Sequence, residues 1–112
     1  MGFSSLLVVP FETISEAFEE GDSKKIMQYS GEKTLIKIGE KEGVYGKSQG
    51  IQVLEKFFKE NPPEKFKFNF KGKSKGNSQY ASGTYTSDKN FRVGLKFKIV
   101  NDDFHIEAIT IE

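Results

Sequence analysis

The sequence predicts an α+β domain in which N-terminal helices pack on an antiparallel β-sheet. Three observations carry that expectation. Apolar residues recur at helical spacing as far as Asn61, with a short extended interlude. After Pro62-Pro63 they switch to strict alternation. In the alternating half, phenylalanine occupies one parity and lysine the other. At 112 residues the chain has the length of one domain, 1–112, and no repeat or linker divides it. Eleven phenylalanines and four tyrosines, with no tryptophan, supply an aromatic core.

The opening SSLLVVPF is too short an apolar run to span a membrane and lacks a basic leader segment. Residues 1–10 therefore read as a flexible or leader-derived end. From Pro10 the pattern is helical: Phe11, Ile14 and Phe18 fall at i, i+3 and i+7, with acids opposite. Gly21 stops this helix, and Asp22 can cap a second, SKKIMQY, with Ile26 and Tyr29 on one face. TLIKI (34–38) reads as a strand, GEKEG as a turn, and VY as a short extended piece. SQGIQVLEKFFKE is the third helix, burying Ile51, Leu54, Phe57 and Phe58. Asn61-Pro62-Pro63 ends it, because proline lacks the donor and restricts the residue before it. Strands follow at 65–75, 78–87, 90–100 and 103–112, joined by KGN, SDKN and NDD turns.

The stretch KFKFNFKGKSK resembles a basic tract with interleaved aromatics, yet alternation separates its two residue types. Phe66, Phe68 and Phe70 share one face, and Lys65, Lys67, Asn69 and Lys71 the other. FRVGLKFKI repeats the plan, with Phe91, Val93, Leu95, Phe97 and Ile99 inward and Arg92, Lys96 and Lys98 outward. The apolar face needs a cover, and the helices supply it. The last strand changes parity between Phe104/Ile106 and Ile109/Ile111. Either a bulge near Glu107 or Ala108, or burial of both faces at the strand's end, accounts for this.

Charge is segregated although the net is only +1. Residues 11–22 carry five acids and no base, whereas residues 65–98 carry nine bases against Asp88 alone. The basic face comprises Lys65, Lys67, Lys71, Lys73, Arg92, Lys96 and Lys98. Such a face is an electrostatic footprint for nucleic acid or another anion. Phenylalanines turned to the core disfavour nucleic acid, because single-strand binders need exposed stacking platforms.

No cysteine is present and His105 is the single histidine, which removes thiol chemistry, disulfides and a His-pair metal site; no cofactor is expected. Gly46-Lys47-Ser48 lacks the glycine that a phosphate loop needs where Lys41 stands, and Gly72-Lys73-Ser74 fails at Lys67. His105 and Glu107 share a face, which reads as the solvent side. No catalytic residue is assigned, and the balance leans away from an enzyme.

The order helix, helix, strand, helix and four strands resembles the nuclear-transport-factor-2-like, or cystatin-like, superfamily. AFEEGDSKKIMQYS, VYGKSQGIQVLEKFF, YASGTYTSDKNFRVGLKFK and IEAITIE are similar to a small uncharacterised bacterial family common in Bacteroidetes. The resemblance implies a strongly bent sheet whose concave face holds the helices, making a cone, and an exported or periplasmic protein. Read as complete, the chain would instead stay in the cytoplasm. It also implies pairing of two copies through the sheet.

Inside such a cone Phe57, Phe66, Phe68, Tyr80, Phe91 and Phe97 are the candidate pocket residues for a small apolar ligand. The expected function is a non-enzymatic binding or interaction domain. One alternative is a pocket enzyme of the isomerase or dehydratase type found in the superfamily, and another is anion binding on the basic face. A fold alone does not choose among them.

Overall fold

The computed structural model describes residues 9–101 and 103–112. Most of the expected leader-derived end (residues 1–8), the core candidate Phe3, and Asp102 of the NDD turn lie outside the described residues.

Helix α1 spans Phe11–Glu20 and buries Ile14, Ala17 and Phe18. It ends at Gly21, whose φ of 65° is the left-handed conformation that a residue without Cβ adopts freely. There Gly21 N–H donates to Phe18 O and Asp22 N–H to Ala17 O, closing the helix end. The Asp22 carboxylate then accepts from Lys25 N–H at 3.0 Å and caps α2, Ser23–Met27. One glycine and one aspartate thus stop one helix and start the next.

Strands β1 (Ser30–Ile38) and β2 (Lys41–Tyr45) form a hairpin, and α3 (Lys47–Glu60) follows, burying Gly50, Leu54, Phe57 and Phe58. The remainder is β3 (Lys65–Lys71), β4 (Ser78–Thr86), β5 (Asn90–Val100) and β6 (Asp103–Ile111). All six strands join one sheet in the order β2-β1-β6-β5-β4-β3. The fold is the expected α+β arrangement, and β3 to β6 form the expected antiparallel meander. The sheet as a whole is mixed, because β6 returns beside β1 running in the same direction. The α3 crossover between the two groups of strands permits that parallel contact.

The concave face is the core. Tyr85, Val93, Leu95, Phe97, Ile106, Ile109 and Ile111 from the sheet meet Ile14, Phe18, Ile26, Met27 and Leu54 from the helices, all fully buried. Helix α1 lies against β3, and α3 lies against β1.

Irregularities in three strands bend the sheet. In β6, Lys96 pairs with Ala108 and Phe97 with Ile106, so Glu107 is the extra residue. Of the two explanations that the parity change allows, the bulge is the one found. In β1 the pairing with β6 slips between Ser30 and Leu35.

In β3, Phe68 pairs with Gly83 and Phe70 with Ser82, which makes Asn69 extra. The Asn69 bulge overturns part of the KFKFNF alternation. Phe70, expected inward, stands outside at 53% exposure. Lys71, expected on the outer basic face, turns toward the helices, with Nζ 5.4 Å from the Phe11 ring centroid.

Candidate functional site

Five of the six candidate pocket rings lie in or against the core, where they pack on one another. Phe66 and Phe68 meet edge to face at 4.9 Å between ring centroids, and Phe11 bridges Phe68 (5.2 Å) to Phe97 (6.0 Å). At the other end Phe57 contacts Phe91 at 5.2 Å and Tyr85 at 5.3 Å. Edge-to-face contacts of this kind fill volume. The sixth candidate, Tyr80, sits on the opposite face at 47% exposure, since its outward neighbours Lys96 and Ser82 share its parity. Tyr85 takes the inward place expected of Tyr80.

Tyr85 donates from its hydroxyl to Asn61 O at 2.5 Å and so ties β4 to the C-terminal end of α3. Burial pushes this hydroxyl from 10.0 up to about 12. The unfolded chain then loses this proton near pH 10, while the folded one keeps it. The stabilisation is complete below pH 10 and disappears as pH rises from 10 toward 12. Denaturant unfolding is therefore expected to show a fall in stability across that window that is shallower in Tyr85→Phe. Equal slopes in the two proteins would refute the assignment.

A real opening lies beside the packed rings, between α3 and the β1–β2 hairpin, with a volume of about 220 Å³. Ile36, Ile38, Val53 and Phe57 form an apolar floor. Lys41, Lys56 and Glu60 stand exposed around the rim, and Tyr45 makes a wall. The hairpin pairing puts Gly43 opposite Ile36 and Tyr45 opposite Thr34, so both face the helix. A Cβ on Gly43 would fall 2.6 Å from the Tyr45 hydroxyl oxygen, so the ring lies back along β2 over a residue with no side chain. Phe57 is the one residue of this opening among the six candidates. The G-x-Y spacing of Gly43 and Tyr45 was the available signal for the rest.

On the outer face, Lys65, Lys67, Arg92, Lys96 and Lys98 project from β3 and β5, whereas Lys73 sits in the β3–β4 loop. The Lys96 ammonium pairs with Glu107 at 3.5 Å. The bulge carries Glu107 to this lysine, and His105 packs beside Gly31. Among the described residues no cluster of three or more His, Cys, Asp or Glu could hold a metal ion. No described helix is long and apolar enough to cross a membrane.

A family model described as "Domain of unknown function (DUF4783)" matches residues 11–112. A solved DUF4783 protein from Bacteroides uniformis ATCC 8492 is 29% identical with a TM-score of 0.85, covering 94% of this chain and 96% of that one. One from Bacteroides ovatus ATCC 8483 is 25% identical with a TM-score of 0.84, covering 94% of each chain. A nuclear-transport-factor-2-like protein of unknown function from Shewanella oneidensis MR-1 has a TM-score of 0.67 at 17% identity, covering 90% of this chain and 91% of that one. It shares the fold alone. A comparison with curated proteins finds no match. Since the family model takes in α1 and everything after it, the chain belongs to the DUF4783 family, built on a nuclear-transport-factor-2-like fold.

Proposed function

We propose that the domain is a non-enzymatic binding module that takes a small, mainly apolar ligand at the opening between α3 and the β1–β2 hairpin. The observation that carries this reading is the combination of an apolar floor with a polar rim in one recess. Ligand sites typically pair those features, and about 220 Å³ suits a ligand below drug size. Lys41 and Lys56 favour a ligand whose polar end is anionic, with its body on Val53 and Phe57. The rival reading, an isomerase or dehydratase, needs an acid and a hydroxyl converging on one bound molecule. Glu60 and Tyr45 line the same recess, but Glu60 is solvent-exposed on the rim, and that favours binding over proton transfer.

Native mass spectrometry of protein purified gently from its host tests the reading. The expected spectrum shows an added mass that disappears on denaturation and is absent from Val53→Phe, whose ring fills the floor. Wild-type protein that flies bare, or a Val53→Phe variant that keeps the added mass, would overturn it.

A further inference from the structure

The outer face of the sheet carries a hollow of about 650 Å³ whose lining is unlike that of the recess beneath α3. Asn69, Ser82, Thr84, Asn90 and Arg92 contribute amide, hydroxyl and guanidinium groups from β3, β4 and β5. Glu112 closes one end, its backbone exchanging hydrogen bonds of 2.7 and 2.9 Å with Arg92. Tyr80 forms a wall.

Two features make this more than a row of polar strand positions. The first is a pair of exposed aromatics. A Cβ on Gly94 would fall 2.7 Å from the Tyr80 hydroxyl oxygen, so the ring reclines across β5 over that glycine and leaves nearly half its surface open. Beside it stands Phe70, turned out by the Asn69 bulge, with ring centroids 6.5 Å apart and planes tilted by 44°.

The second feature is that the amides are already held in place. Asn69 Nδ2 donates to Thr84 Oγ1 at 2.7 Å, and Thr86 Oγ1 donates to Asn90 Oδ1 at 2.8 Å. Those bonds fix the rotamers while leaving Asn69 Oδ1, Asn90 Nδ2 and the Arg92 guanidinium without side-chain partners among the described residues.

The lining's own chemistry bears on which ligand class such a surface accepts. The lining itself holds one cation, Arg92, and one anion, Glu112; of the lysines on the same face, Lys96 pairs with Glu107 at 3.5 Å, and Lys65, Lys67 and Lys98 lie outside the lining. A polyanion would meet the Glu112 carboxylate at one end of the hollow. A neutral polyhydroxylated ring meets what it needs: planar amide, carboxylate and guanidinium groups for adjacent hydroxyls, and aromatic surface for its C–H face. We propose that this hollow binds a neutral oligosaccharide, with a pyranose ring against Tyr80 and Phe70 and hydroxyls on Asn69, Asn90 and Arg92. The site is separate from the recess beneath α3, and either reading can fail without the other.

Two-dimensional amide NMR on the whole chain tests it, using cellotetraose, maltotetraose, xylotetraose and mannotetraose to millimolar concentration. At least one sugar is expected to move the amides of Asn69, Ser82, Thr84, Asn90 and Arg92 and to leave those of Val53 and Phe57 in place. Tyr80→Ala should weaken that sugar about tenfold or more, whereas Tyr80→Phe keeps the ring and most of the affinity. Arg92→Gln supplies a second loss-of-binding variant if Tyr80→Ala does not fold.

Silence from all four sugars overturns the proposal, as does full affinity in a folded Tyr80→Ala or Arg92→Gln variant. Oligothymidylate binding on the same amides, steeply weakened by salt, would assign the face to nucleic acid and overturn it too. Movement of these amides with protein concentration alone, and with none of the sugars, would assign the face to a second copy of the chain and overturn the proposal as well.

Discussion

Phe18→Ala is expected to cost about 3–5 kcal/mol of unfolding free energy, a large part of the roughly 5–15 kcal/mol that holds a domain of this size. Phe18 has no exposed surface, stacks on Phe66 at 4.8 Å between centroids and meets Phe58 at 6.2 Å. It is therefore a ring at which α1, β3 and α3 meet. Removing it leaves a cavity bordered by parts of three elements, which cannot all move inward together. Urea unfolding should show a lower midpoint with an unchanged slope. Phe18→Leu, which keeps most of the volume, should lose far less. A cost below about 1 kcal/mol for the alanine variant would mean that α1 collapses onto β3 and that the contact is not specific.

Gly83→Ala should destabilise by about 3 kcal/mol, the upper end of what a single added methyl group does in a packed interior. A Cβ at this position would lie 2.6 Å from the carbonyl oxygen of Lys67 and 2.8 Å from Cζ of Phe66. The ring can rotate away, but the carbonyl belongs to the β3 backbone and cannot. β3 would have to separate from β4 at the place where Asn69 already interrupts the pairing. Hydrogen exchange should accordingly speed up in Lys65–Lys71 before it does in β5, and shortening Phe66 to leucine should not rescue the variant. Wild-type exchange rates in β3 of Gly83→Ala would show that the bulge can absorb the methyl group.

Gly83 also explains why part of the sheet was illegible in the sequence. KFKFNF alternates without a flaw, and nothing within it marks Asn69 as the residue to be squeezed out. The slip begins opposite Gly83 on the neighbouring strand, where the β3 backbone comes close to a residue without a side chain, and local alternation holds no information about a neighbour. The irregularity at Glu107 was legible for the opposite reason, since Phe104/Ile106 and Ile109/Ile111 disagree in parity within a single strand, although a bulge and two-faced burial were equal explanations of it. Helix ends were legible as well, because Gly21, Asp22 and Pro62-Pro63 act on their own backbone.

The candidate site followed the same division. Inward alternation placed Phe66, Phe91 and Phe97 correctly but said nothing of whether their rings leave space. That depends on how Phe11 and Phe57 reach them from the helices. The recess beneath α3 arises where the β1–β2 hairpin and the helix that directly follows it do not close on each other. That Lys41 and Lys56 stand at the rim of one recess has no trace in local spacing.

The parallel contact between β1 and β6 has a consequence for how the protein is made. β6 is the third strand across the sheet, yet it is the last to be synthesised. Thr34 in β1 donates its hydroxyl to Ile106 O, across 72 residues of sequence. Until β6 emerges from the ribosome, the β1–β2 hairpin and the β3–β5 meander are two half-sheets, each with an edge left open where β6 belongs. Contacts this distant along the chain make folding slow, and open edges during that wait invite wrong partners. The chain is thus most open to wrong pairing until β6 is in place, and inserting that one strand closes both edges at once.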